Sequence, residues 1–157
     1  MPSDFTLTTL CYVRRGDDVL LMARSKAPNL GQVTAPGGKL APGESPDLCV
    51  VREVREETGL AIAAPRLRAV ITQTADDPAE RWILFLYFAD APPGEIRTDC
   101  PEGRLFWCPV AELLGGGHPI PDADRVFTPW LFEPNSTVIR ATFWHRADLT
   151  VQRWERH

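Results

Sequence analysis

The 157 residues contain no run of eighteen or more apolar side chains, which excludes a hydrophobic helix long enough to span a bilayer. Met1 to Phe5 lacks the basic and apolar pattern of a secretory leader, so the chain is expected in the cytoplasm and away from membranes. Five or six consecutive basic residues are also missing, and the formal charge is −4. Polymeric nucleic acid is thereby set aside as a partner, because its binding relies on many Lys and Arg contacts to phosphate. Cys11, Cys49, Cys100 and Cys108 show no paired-ligand spacing and read as buried thiols rather than disulfides or a zinc site. Internal repeats and low-complexity tails are absent, and the length suits one domain over residues 1–157. Oligomeric state cannot be read from these features.

What is present alternates short strands with three helical stretches. Phe5 to Val13 and Val19 to Ala23 read as a hairpin, followed by a mobile connection from Ser25 to Val33 that carries Pro28, Asn29 and Gly31. Leu67 to Thr74 and Trp82 to Phe88 form a second hairpin, and Thr137 to His145 with Leu149 to Trp154 a third. Arg104 to Cys108 is a short strand, Pro109 opens a short helix through Leu114, and Asp124 to Phe132 is a further helix limited by Pro129. Hairpins mixed with one long helix predict an α+β fold with a mixed sheet sandwiched by helices.

The long helix carries the chemistry. Ser45 is placed to cap it, Pro46 suits its first position, Asp47 its positive end, and Thr58-Gly59 stops it. Val50, Val51 and Val54 cover one side, while Glu53, Glu56 and Glu57 fall within roughly a third of the circumference on another. Clustered carboxylates repel, and a hard divalent cation reverses the sign of that interaction. Magnesium is the expected ion, with manganese an alternative, since both take oxygen ligands. Just ahead, Pro36-Gly37-Gly38 makes a turn whose missing side chains let backbone approach phosphate or metal.

The run from Gly38 to Leu60 resembles the signature of the Nudix hydrolases. Gly38, Glu44, Arg52, Glu53, Val54, Glu56, Glu57, Gly59 and Leu60 occupy every position of that pattern. Seven fixed identities at this spacing arise by chance on the order of once in a million. The bland alternative is a surface helix laced with Arg-Glu pairs. The resemblance implies an α/β/α sandwich, with Glu53, Glu56 and Glu57 holding metal together with the Gly37 carbonyl. It implies further that one glutamate acts as base and that Arg52 orients a glutamate.

Similarity to the MutT-like branch, whose members clear oxidised purine nucleotides, extends over most of the chain. Gly31-Gln-Val-Thr-Ala-Pro-Gly-Gly-Lys39 follows its pattern, except that Val33-Thr34 stands where that branch has Trp-Asn. Thr34 can make one hydrogen bond to a base but cannot copy a bidentate amide. Glu102 matches a downstream glutamate that approaches the metal or attacking water, with a solvated loop acid as the bland reading. The segment from Pro121 to Leu131 resembles the purine pocket, making Asp122, Asp124, Trp130 and Phe127 candidates for base binding, with Phe5 a further stacking candidate. Asp124 also fits a helix cap, and each aromatic also fits the core. Lys39 and Gly38 are expected on phosphate, where Arg24, Lys26 and Lys39 offset the acidic charge. His145 reads as structural.

The carboxylate cluster points to metal-assisted hydrolysis of a phosphoanhydride bond, and the resemblance implies a nucleoside triphosphate, such as 8-oxo-dGTP, as substrate, with monophosphate and pyrophosphate as products. Two alternatives stand beside it. One is a Nudix enzyme for another nucleotide, a dinucleoside polyphosphate or ADP-ribose; the other is a nucleotide sensor that has lost turnover.

Overall fold

A computed structural model describes residues 5–134 and 137–157; of the leader expectation for Met1 to Phe5, all but Phe5 lies outside them. The strands are β1 (Thr6–Arg15), β2 (Asp18–Arg24), β3 (Val33–Thr34), β4 (Gly37–Lys39), β5 (Arg66–Thr74), β6 (Trp82–Asp90), β7 (Asp99–Cys100), β8 (Gly103–Pro109), β9 (Ile139–His145) and β10 (Val151–Arg156). Three α-helices accompany them: α1 (Pro46–Thr58), α2 (Val110–Leu114) and α3 (Asp122–Leu131). All strands join one mixed sheet in the order β10-β9-β5-β6-β1-β2-β8-β7, with β4 added to β1 and β3 added to β2.

Period-two alternation along the central strands divides the apolar side chains between two faces. On one face Cys11, Val13, Leu20, Met22 and Tyr87 pack with Val50 and Val54 of α1. On the other, Tyr12, Val19, Leu21 and Leu86 pack with Leu113 of α2 and with Phe127 and Leu131 of α3. The result is an α+β sandwich in which each buried aliphatic or aromatic residue contributes about 1.5–3 kcal/mol. Helix α1 begins and ends as its residues dictate: Ser45 Oγ accepts from the Leu48 N–H at 3.2 Å, and Gly59 adopts a left-handed φ of 81°. The Tyr87 hydroxyl donates to Asp47 at 2.7 Å and pins the first turn of α1 to the sheet.

One irregularity positions the site. The β1–β2 hairpin pairs only at Arg14↔Val19 and Arg15↔Asp18. Beyond that the strands part: Thr8, Thr9 and Leu10 of β1 pair with β4, and Met22 and Ala23 of β2 pair with β3. The glycine turn therefore fills a fork between two central strands. It approaches β1 so closely that a Cβ on Gly37 would collide with the Thr9 carbonyl.

Several expectations shift. Helix α3 starts two residues earlier than Asp124, and Pro129 sits inside its last turn, where few backbone bonds remain to be lost. Asp124 is consequently no cap: Pro121 holds that position without a side-chain bond. The connection from Ser25 to Val33 is tied to its own ends, because Arg24 N–H donates to the Gln32 carbonyl and Gly31 N–H to the Arg24 carbonyl, both at 2.9 Å. Strands β3, β4 and β7, of two or three residues each, are too short to show alternation.

Candidate active site

Arg52 organises the acidic side of α1. Its Nε and Nη2 donate to Glu44 at 2.7 and 2.9 Å, and its Nη1 to Glu53 at 2.7 Å and Glu56 at 3.2 Å. The paired hydrogen bonds from Arg52 hold the Glu44 carboxyl well down, at about 2, helped by the Ala41 N–H. Glu53, one turn before Glu57, is fixed from one side by Arg52 and from another by Gly38, where a Cβ would overlap its carboxylate.

Glu57 is buried, and its Oε1 accepts from the Gly37 N–H at 3.1 Å. Burial, followed by the charges of Glu53 and Glu102, pushes its carboxyl up to about 8 against the lowering effect of that hydrogen bond. Glu53 is shifted upward as well, first by burial and then by Glu56 and Glu102, with Arg52 opposing. Glu102 arrives from the turn before β8, and ligand atoms of Glu57, Cys100 and Glu102 lie within 4.8 Å of one another. Glu53 and Glu57 of α1 and Glu102 of the turn before β8 thus line one cleft behind the glycine turn.

These groups form one end of a cleft of about 690 Å³. Arg24 and Lys39 line the same end, and the Lys39 ammonium stands 5.5 Å from the centre of the Trp82 ring. The other end is lined by Thr34, Gln73, Leu84, Asp122, Asp124 and His145, with the Asp148–Thr150 turn at its edge. Asp124 is 6% exposed, and burial raises its carboxyl to about 7. Asp122 is otherwise engaged, accepting the Val151 N–H at 2.7 Å and tying α3 to β10.

The NUDIX domain model matches residues 4–131 of the sequence. The chain belongs to the Nudix family. It is 37% identical over 119 residues to the uncharacterized Nudix hydrolase YvcI of Bacillus subtilis, spanning 70% of this chain and 73% of that one. With the ADP-ribose pyrophosphatase of Methanocaldococcus jannaschii it shares 31% identity over 96 residues, 60% of this chain and 57% of the archaeal protein. The crystal structure of the mutator MutT protein of Bacillus halodurans matches at a TM-score of 0.83 and 30% identity, covering 97% of both chains. Among the described residues no helix is long and apolar enough to cross a membrane.

Within this Nudix domain, Glu53, Glu57, Glu102, Gly37, Gly38, Lys39, Thr34, Asp122 and Asp124 all line the cleft. Glu56 does not: its side chain is 59% exposed and turned onto Arg52 at the outer rim. Phe127 and Trp130 do not line the cleft either. Phe127 is wholly buried against Phe143, and Trp130 stacks among Phe143, Trp154 and Arg156, so both belong to the packing of α3 on β9 and β10. Phe5 is likewise not among the residues lining the cleft. His145, read as structural, does line it, and burial lowers the affinity of its ring for a proton. Sequence reasoning missed Trp82, Gln73 and Cys100. Alternation on β6 shows that Trp82 and Leu84 share a face, but nothing local says that this face opens into a cleft.

Divalent-metal dependence is general among Nudix hydrolases, and the donor set here fits it. Glu57 and Glu102 bring carboxylate oxygens within 4.8 Å of each other, and Glu53 lines the same cleft beside a backbone from which side chains are missing, a set that suits a hard cation.

Proposed function

We propose that the chain hydrolyses a phosphoanhydride bond in a nucleoside triphosphate, releasing monophosphate and pyrophosphate, with oxidised purine nucleotides such as 8-oxo-dGTP as preferred substrates. The observation that carries this reading is that one cleft joins the Glu53–Glu57–Glu102 cluster to a pocket holding the buried Asp124. Glu53, Glu57 and Glu102 would hold magnesium or manganese, with Glu56 beside them at the rim. A divalent cation, when bound, neutralises phosphate charge and makes water a stronger nucleophile.

The remaining roles fall to the protein's own groups. Arg24 and Lys39 neutralise phosphate oxygens along the shared end of the cleft. Arg52 keeps Glu53 in one orientation through its 2.7 Å hydrogen bond, and so acts by positioning. A carboxylate of the cluster takes the proton from the attacking water as the phosphorus–oxygen bond breaks and pyrophosphate leaves. Within the same cleft, beside Lys39, Trp82 offers a ring on which a purine can stack for about 1–3 kcal/mol. Asp124, with its proton held until about pH 7, can donate to a keto oxygen or accept from a ring N–H. Oxidation at C8 turns the purine N7 from an acceptor into an N–H donor, which is the difference such a carboxyl can sense.

The decisive experiment incubates purified protein with magnesium and a panel of GTP, dGTP, their 8-oxo forms and ADP-ribose, identifying each product. Release of pyrophosphate, fastest from 8-oxo substrates, supports the reading. Equal rates on oxidised and normal purines would remove the preference, and no turnover of any member would remove the enzyme. A second reading, ADP-ribose as substrate, draws on the similarity to the archaeal ADP-ribose pyrophosphatase, and the same panel separates it.

A further inference from the structure

Away from the cleft, Cys108, Glu112 and His118 bring a thiol, a carboxylate and an imidazole within 4.8 Å of one another. They come from the end of β8, from α2 and from the turn after it. The Gly115–Gly117 triplet makes the return possible: Gly116 adopts a φ of 81°, and a Cβ on Gly117 would crowd Glu112. Cys108 is buried, Glu112 exposed and His118 half-buried, so the cluster lies at the surface with one wall in the core. None of the three lines the catalytic cleft. Six residues of chain along β8 separate Cys108 from Glu102, a span of roughly 20 Å at about 3.3 Å per residue.

The contacts within the cluster have an unusual pattern. His118 Nε2 is 3.4 Å from Cys108 Sγ and 2.9 Å from Glu112 Oε1. A nucleophilic triad would set thiol and carboxylate on opposite ring nitrogens, one nitrogen taking the thiol proton while the carboxylate holds the N–H of the other. Here both approach the same nitrogen, which in a neutral imidazole offers either one proton or one lone pair. Three donor atoms converging in this way surround a point, as ligands surround an ion. Around a tetrahedral zinc, with bonds of about 2.0 Å to nitrogen or oxygen and 2.3 Å to sulfur, neighbouring donors stand about 3.3–3.5 Å apart.

The geometry points to a second metal site, in which Cys108, Glu112 and His118 bind a borderline transition ion, zinc foremost. Thiolate and imidazole ligands favour zinc over magnesium, so the two metal sites of the molecule differ in chemistry as well as place. A thiolate and a carboxylate cancel the two charges of the ion, and the exposed side of Glu112 leaves the fourth position to water. Binding clamps α2 and the glycine turn onto the end of β8. The site stands apart from the nucleotide reading and holds whatever the substrate proves to be. It also gives Cys108 the partners that cysteine spacing along the chain does not reveal.

The test uses the full chain, stripped of metal by a chelator, supplied with excess magnesium for the acidic cleft, and titrated with cobalt(II) as a spectroscopic stand-in for zinc. A thiolate-to-cobalt charge-transfer band saturating near one equivalent, lost in Cys108→Ser and His118→Ala but kept in Cys100→Ser, is expected. Zinc added afterwards should abolish the band, and it should raise the melting temperature of the original protein but not of His118→Ala. No band in the original protein overturns the site. A band that survives in Cys108→Ser, or vanishes in Cys100→Ser, overturns it in favour of the thiol beside Glu57.

Discussion

Gly38 lies so close to Glu53 that the volume a methyl group would need is already filled by the Glu53 carboxylate. The obstructing atoms are the far end of a flexible side chain, so Gly38→Ala should fold and displace Glu53. Because a misplacement of about 1 Å in a reacting group can cost on the order of 10²-fold, the rate is expected to fall by about that factor with little change in melting temperature. Gly37→Ala should behave in the opposite sense, since its Cβ meets the Thr9 backbone, which cannot step aside. Thermal melts and turnover of both variants separate the two effects.

Removing divalent metal with a chelator is expected to stop turnover, and magnesium or manganese to restore it. Glu57→Gln, which preserves shape but not charge, should lower the rate by about 10²-fold or more at saturating magnesium. Steady-state kinetics across a metal titration provide the check; an undiminished Glu57→Gln rate contradicts the assignment of the cluster.

Arg52→Lys replaces a planar fork by a point charge that cannot bond Glu44 and Glu53 together. Turnover should drop about tenfold with the Michaelis constant little changed, because the nucleotide is not touched. The depressed Glu44 carboxyl adds a stability signature. Its folded value of about 2 lies below its ordinary 4.5, so its contribution is fully present above pH 4.5 and is lost as pH falls through 2. The melting temperature of the variant should therefore trail the original protein most above pH 4.5 and converge with it towards pH 2.

Asp124 carries the opposite sign. Its carboxyl is raised from 3.8 to about 7, so the folded state binds the proton more tightly and stability falls as pH rises between those values. At about 1.4 kcal/mol per unit the penalty above pH 7 is on the order of 4 kcal/mol. In Asp124→Asn this pH dependence should vanish, and discrimination between oxidised and normal purines should collapse while the reaction itself persists. Denaturation at pH 4, 6 and 8, paired with kinetics on dGTP and 8-oxo-dGTP, tests both halves.

Trp82→Ala should raise the Michaelis constant by about 5- to 150-fold, the equivalent of 1–3 kcal/mol of stacking, with turnover at saturation retained. Trp130→Ala should leave the constant unchanged and lower stability instead, since Trp130 packs on Phe143 and Trp154.

Helix α1 and its caps were readable in the sequence because everything that determines them is local: a cap, a proline, a glycine stop and a period of 3.6. The sheet was only partly readable. Parallel pairing of β1 with β6 and of β5 with β9 joins segments far apart in sequence, and no hairpin signal marks it. The acidic part of the cleft follows from spacing, whereas the part holding Asp124 depends on how α3 rotates over the sheet. That rotation brings Asp124 to the cleft and carries Phe127 and Trp130 into the packing, which residue types alone do not decide. Glu56 shares the helical side of Glu53, yet Arg52 holds it outward.

The fork between β1 and β2 separates two kinds of adaptability. Where the glycine turn is wedged between strands, a single added carbon strikes backbone or a glutamate, so that half of the cleft tolerates almost no change. The half that holds Asp124 is bordered by the Ala27–Gln32 stretch and the Asp148–Thr150 turn, which lie outside the strands and can lengthen, shorten or swap residues. A lineage built on this chain could therefore change its nucleotide by exchanging two loops while the hydrolytic chemistry stayed as it is.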